Sequence, residues 1–342
     1  MQQDKNVPQG SATATIAGNA PGKPRGWFRS LDVGSMQQVA LVAVCLLLGI
    51  LMQLYFPRYL SGPNVEVMLT NFVTEGIMAL GMTIVMITGG IDISVAATLQ
   101  FSAIVVAMFL KAGMPVPAAI ALALLLAAGV GLLNATLINL FKVHPFIVTL
   151  ATLLTLRGID LVITGGTSIS GLPKSFTTIG QDRLFGIRIS LILFAVLALV
   201  IGYALKNHRY LQQAYFIGGN RRAARMSGVK IERFVVFAFV LNALLAGIAG
   251  IVVCAQYGAA SVSYGQNAEL RVIAATAIGG TSFSGGSGTI GGTVLGVLFL
   301  AMVYNAFNMT GINTYWQDVA IGVMLLAAVF LGEVLKRRRI TR

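Results

Sequence analysis

Ten apolar runs, each about as long as a bilayer is thick, follow one another through this chain. They cover residues 37–56, 67–88, 93–112, 116–140, 146–164, 189–205, 234–257, 266–284, 289–308 and 316–334. A helix needs ~20 apolar residues to cross the hydrocarbon core, so this succession constrains the fold more than any motif does. Charged residues make up only 10% of the chain and hydrophobic ones 56%, where an ordinary soluble domain carries about 25% charged residues. Such a chain cannot clothe a globular surface in water. The expected fold is an all-α polytopic membrane protein of about ten transmembrane segments, with residues 37–335 as the membrane domain.

The chain begins with a polar stretch, residues 1–36, rich in Gly, Pro, Ala and Ser, which reads as a disordered cytoplasmic tail. The first apolar run ends in Tyr55-Phe56-Pro57-Arg58, with no small-residue cleavage site, so it reads as a signal anchor and not as a removable leader. The net charge of +13 would suit a nucleic-acid binder, but the basic residues sit between the apolar runs and form no recognised nucleic-acid motif. An even number of spans places both termini on one side. With the N-terminus inside, about 17 of the 24 Lys and Arg residues fall on cytoplasmic pieces, including a basic tail at 336–342. About five fall opposite (Arg58, Lys111, Lys174, Arg183 and Arg188), while Arg157 and Arg271 lie within spans. Both ends are therefore expected to be cytoplasmic. Cys45 and Cys254 each lie inside an apolar run and read as small hydrophobes.

Two stretches interrupt the pattern: Thr88-Gly89-Gly90-Ile91-Asp92-Ile93-Ser94, and the Gly-rich block from Gly279 to Gly292. Broken segments in both halves are a pointer to a transport pathway built from an inverted repeat. An equally open reading makes both stretches tight turns at the cytoplasmic face, where Gly merely reverses the chain.

Ionisable groups within spans are costly and rare. Asn71, Glu75, Met78 and Met82 recur at i, i+4, i+7 and i+11, so they share one helix face. With Asp92 they are the candidates for lining a path for a polar, uncharged solute. The alternative is that Asn71 and Glu75 merely bond to a neighbouring helix. Arg157 and Asp160, at i and i+3, are expected to form a structural ion pair. Glu269 and Arg271 border the second broken segment and have the same two readings.

The polar loop 206–233 holds a candidate short helix, begun by Asn220 as N-cap and ended by Gly228 in a left-handed cap. Arg221, Arg222 and Arg225 make it basic, and Ala223 and Ala224 give it an edge that a partner backbone could approach. It would dock on a cytoplasmic partner or lie on lipid headgroups; otherwise it is a solvated charge run. The glycines near 279–292 are not followed by the Lys of a phosphate-binding loop, and no zinc or nucleophile motif is present. Nothing here reads as an enzyme or as a metal site. A stand-alone ion-coupled carrier using Glu75 and Asp92 is the alternative from another class.

The motifs together resemble one family. Gly81-Met82-Thr83 through Thr88-Gly89-Gly90-Ile91-Asp92-Ile93-Ser94-Val95 is similar to the signature of ribose/xylose-type ABC sugar permeases, of the branched-chain amino acid/monosaccharide permease superfamily. Pro145-Phe146-Ile147-Val148-Thr149-Leu150, Gly218-Gly219-Asn220 with Ala223-Ala224-Arg225, and Gly279-Gly280-Thr281-Ser282 match further blocks in order. Two positions depart from the pattern. Ala96 replaces a Gly, and Glu269-Leu270-Arg271 stands where Glu-Leu-Asp is usual. The resemblance implies a bacterial inner-membrane permease importing a sugar, with no cofactor of its own. It implies as partners ATPase subunits that use ATP and magnesium, a periplasmic binding protein, a second permease copy and membrane lipid. The loop 206–233 would then be the coupling segment.

Overall fold

The structure, a computed structural model, describes residues 33–313 and 315–340. The tail expected over residues 1–36 lies outside them as far as residue 32, as do Thr341 and Arg342 of the basic tail. In chain order come α1 (Val33–Tyr55), α2 (Gly62–Ile87), α3 (Val95–Lys111), α4 (Val116–Phe141), α5 (Pro145–Thr164), β1 (Ile169–Ser170) and α6 (Lys174–Gln181). The hairpin β2 (Arg183–Leu184) and β3 (Ile187–Arg188) precedes α7 (Ile189–Asn207), α8 (Arg209–Gly219), α9 (Arg221–Met226) and α10 (Ile231–Tyr257). The chain closes with β4 (Ala259–Ala260), α11 (Ala268–Ile278), α12 (Ile290–Thr310) and α13 (Tyr315–Ile340).

Nine of the ten apolar runs coincide with a helix. Among the described residues, 7 helices are long and apolar enough to cross a membrane: α1, α2, α4, α5, α7, α10 and α12. The apolar helix α3 has 17 residues, and α13 is apolar over Tyr315–Ala327. The protein is a polytopic helical membrane protein. One run departs from expectation: 266–284 is not a continuous span but the 11-residue α11 followed by a non-helical return.

Local chemistry sets the helix limits. Proline stands in the first turn of α2, α4 and α5, where its missing N–H costs nothing. α5, α10 and α12 stop at Gly165, Gly258 and Gly311, each with positive φ. Burial separates centre from rim. Within their apolar windows α2 is 78% and α10 67% buried, whereas α1 is 17% and α4 and α7 are each 22% buried. α2 and α10 therefore form the axis, and the rim helices turn apolar side chains such as Leu46, Leu133 and Leu199 outward, as lipid contact requires. Close approach to the axis is made possible by small residues. A Cβ on Gly250 of α10 would lie 2.1 Å from the Leu99 carbonyl of α3.

Side-chain contacts sort the connections into two ends. At one, Glu66 of α2 is held by Arg183 and Arg188 of the hairpin, and β1 pairs antiparallel with β4. At the other, the amide N–H of Gly286 donates to the Ile87 carbonyl at 2.8 Å. There also Gln38 donates to Thr289 at 2.7 Å and Asn139 to the Glu232 carbonyl at 2.9 Å. α8 and α9 lie at this second end. α2 runs its full 26 residues before the Gly89-Gly90 turn, so this first break is a turn at the α8–α9 end. The second Gly-rich stretch returns to the same place. Irregular backbone within the bundle lies elsewhere, in residues 261–267. Gly265 packs against the Ala96 carbonyl near the start of α3, so this stretch descends between the helices from β4 and delivers α11 at the level of mid-α2.

Candidate functional site

Three glycine-bearing segments meet at the α8–α9 end. A Cβ on Gly218 of α8 would lie 1.9 Å from the Ile87 carbonyl oxygen and 2.4 Å from the Gly286 nitrogen. No side chain fits there, so the end of α2, the Gly-rich return before α12, and α8 touch backbone to backbone. The Tyr215 hydroxyl fastens the contact by donating to the Gly288 carbonyl at 2.9 Å. Burial pushes that phenol above its usual range.

The short helix beyond it has the expected caps. The Asn220 side chain accepts from the N–H groups of Arg222 at 3.0 Å and Ala223 at 3.1 Å, and Gly228 has φ +82°. Arg221, Arg222 and Arg225 are exposed, and Arg225 pairs with Glu232. Ala224 does not offer the approach edge expected of it. It is buried in the protein's own core, and its carbonyl accepts from the Val229 N–H. Ala223 remains exposed. Sequence reasoning also missed α8 as a helix. Its Phe216 is 63% exposed, and Met226, among the arginines of α9, is 90% exposed.

Beneath this end sits a polar knot. The Asp92 carboxylate is buried; Oδ1 accepts from the Ser94 N–H at 2.9 Å and the Ser94 hydroxyl at 2.6 Å, and Oδ2 from Asn242 of α10 at 2.9 Å. Ser94 in turn accepts from Asn134 of α4, whose amide oxygen accepts from Thr152 of α5 at 2.6 Å. The turn before α3 is thereby tied to α4, α5 and α10.

Further along α5 the charged residues form a second cluster. Arg157 and Asp160 do not pair. Arg157 Nη2 donates to both oxygens of Glu269 at 3.1 and 3.2 Å, and Asp160 accepts from Gln100 of α3 at 2.8 Å. The i,i+3 spacing placed the two on one helix, but α11 and α3 supply better-placed partners. Arg271 donates from Nε to Glu75 at 2.5 Å and from Nη1 to the Gln266 carbonyl at 3.0 Å, and lies over the Tyr304 ring. α11 thus grips α5 with Glu269 and α2 with Arg271. Of the stripe expected on α2, Asn71 is exposed and Glu75 partly so, while Met78 and Met82 are enclosed. Among the described residues no group of three or more His, Cys, Asp or Glu could hold a metal ion.

A polytopic bundle with its polar groups drawn into one buried knot, one interhelical charge cluster and one basic end has the layout of a membrane permease. Over residues 64–329 the chain matches the family described as branched-chain amino acid transport system / permease component, and it belongs to that family. It is 36% identical to the ribose import permease protein of Bacillus subtilis over 302 residues, covering 88% of this chain and 94% of that one. It is also 32% identical to the D-allose transport system permease protein of Escherichia coli K12 over 283 residues, covering 82% and 87%. An autoinducer 2 import system permease protein of Escherichia coli SMS-3-5 is 35% identical over 296 residues, covering 86% of each chain. No solved structure matches the chain. The protein is a multi-pass permease subunit of an ABC importer, not an enzyme, and the ATPase and binding protein are separate partners. The stand-alone carrier reading is set aside by this membership.

Proposed function

We propose that this permease passes a monosaccharide or a similar small polar solute inward, along a path completed by a second permease copy, and that α8 and α9 receive the motion of the ATPase. The observation that carries this reading is the glycine contact at Gly218, which joins α8 to the end of α2 and to the Gly-rich return that leads into α12, with no intervening side chain. A push on α8 reaches both helices. The basic residues around α8 and α9 favour the cytoplasmic side for this end and for both termini, which the ten-helix order accommodates. The two glycine breaks, one from each half, abut the same turn of α8, so a single short helix touches both halves of the chain. The solute class is supported by relatives named for ribose, D-allose and autoinducer 2.

Phe216 and Met226 supply exposed apolar anchors, and Arg221 and Arg222 a basic surround. A partner groove with acidic edges fits both. Met226→Glu and Ala223→Glu lie outside the protein's own core and should insert normally. Each should reduce co-purification of the cognate ATPase at least about tenfold, as loss of an interface anchor does. Full assembly of both variants, with solute-stimulated ATP turnover, would show that these helices are merely solvated.

A further inference from the structure

The charge cluster on α11 lies where non-helical backbone enters the bundle. Such backbone is tolerated at membrane depth only where protein buries it or where it lines a cavity. Here Ser263, Gln266 and Asn267 of the descending stretch are exposed, so protein of this chain does not bury them. The charges are also only partly covered: the Arg157 side chain is 30% exposed, Arg271 21% and Glu75 13%. Facing lipid, that exposure would be prohibitive. The surface must meet water, solute or the second permease copy.

Two further observations point to a ligand. Among the described residues, Arg157 Nε and the Tyr304 hydroxyl are enclosed with no hydrogen-bond partner. An enclosed donor left unpaired is costly, and here two of them border the same four charges. The pairs Arg157–Glu269 and Arg271–Glu75 alternate in sign and sum to zero, so the surface attracts neither anions nor cations. Guanidinium and carboxylate groups side by side offer donors and acceptors to adjacent hydroxyls, the pattern that a cyclic polyol presents.

We infer that Glu75, Arg157, Glu269, Arg271 and Tyr304 form a solute-contacting station midway along the translocation path, selective for uncharged polyhydroxy compounds. In the empty station the charges pair with one another. With solute present the pairs part, and sugar hydroxyls engage the charges and reach the Arg157 Nε and Tyr304 hydroxyl that the closed pairs enclose. The station explains the Arg at 271, because its charge is matched by Glu75. This inference rests on the reading of the protein as a monosaccharide importer.

Its test uses the whole complex in proteoliposomes, with the cognate ATPase and binding protein, and labelled D-ribose and D-allose as solutes. Tyr304→Phe removes only a hydroxyl that has no partner. A purely structural cluster would not register that change, whereas a solute contact should lower uptake at saturating binding protein by about threefold to tenfold, as loss of one neutral hydrogen bond does. The double variant Glu75→Arg with Arg271→Glu keeps the pair but inverts it. It should assemble and resist heat like wild type, yet fail to regain uptake. Wild-type uptake in both variants would overturn the station and leave the importer reading standing. If the wild-type complex carried neither sugar, the monosaccharide reading and the station would fall together.

Discussion

Gly218→Ala is the most severe test of the contact between α8 and the two glycine turns. The added methyl would lie 1.9 Å from the Ile87 carbonyl oxygen and 2.4 Å from the Gly286 nitrogen, so α8 must retreat by roughly 1.5 Å to restore ordinary contact. Both neighbours are backbone atoms and cannot rotate aside. Overpacking of this kind costs about 1–3 kcal/mol. The gain of about 0.4–1 kcal/mol that Ala brings by restricting the unfolded chain does not enter, because undocking leaves α8 helical. The net expectation is about 2 kcal/mol against the docked position, or roughly a thirtyfold rise in the undocked fraction. Gly219→Ala is the internal control, because nothing lies within 4 Å of a Cβ there. The arginines of α9 give the assay: limited trypsin cleavage at Arg221 and Arg222 tracks the population of the open form when opening is fast. Cleavage should accelerate about thirtyfold in Gly218→Ala and stay near wild type in Gly219→Ala. Equal rates in the two variants would refute the idea that backbone contact holds α8 in place.

Three shorter expectations follow from other contacts. Asp92→Asn confronts the Asn242 amide with another amide at Oδ2 or loses an acceptor at Oδ1; thermal inactivation in detergent should report a loss of roughly 1–3 kcal/mol. The double variant Asp92→Asn with Asn242→Asp should recover part of that loss, and no recovery would deny the direct bond. Ser175→Cys and Ser227→Cys sit at opposite ends and are exposed, while the native Cys45 and Cys254 are buried. An impermeant thiol reagent applied from outside whole cells should label Ser175→Cys alone, and the reverse pattern would invert the topology. Gly228→Val, at φ +82° but in open space, should cost roughly 1–2 kcal/mol by backbone strain alone, read as a lower unfolding temperature; an unchanged temperature would mean that the cap relaxes freely.

What could be seen in the sequence was whatever depends on near neighbours. Apolar runs of span length marked out ten helices, and Asn220 with Gly228 marked the ends of α9, because caps are local chemistry. Partners across the bundle were another matter. Arg157 has Asp160 one turn away, yet it pairs with Glu269, 112 residues on. Glu75 meets Arg271 across 196 residues. Helical spacing says which residues share a face, not which helix arrives opposite that face. The same limit hid the inward course of residues 261–267. Their Ser, Gly, Gln and Asn look like an ordinary loop, and only the packing of Gly265 on Ala96 reveals their depth. α8 was hidden for a different reason: it is short and polar, and its decisive residue is a glycine, which carries no pattern.

The shortness of α11 has a bearing on how the protein is made. Eleven residues rise only ~16 Å, about half the hydrocarbon core, and two of them, Glu269 and Arg271, are charged. Hydropathy alone would not draw such a segment into a membrane during synthesis. Its charges become tolerable only beside Arg157 and Glu75, which belong to helices already threaded when α11 emerges. Biogenesis therefore acquires an order, with α2 and α5 acting as the template on which a late segment is seated. We predict that a chain ending at Thr310 seats α11 when those helices are intact. With Glu75→Leu and Arg157→Leu, a protease site placed at Asn267 should stay accessible from outside; protection in both chains would show that α11 enters unaided.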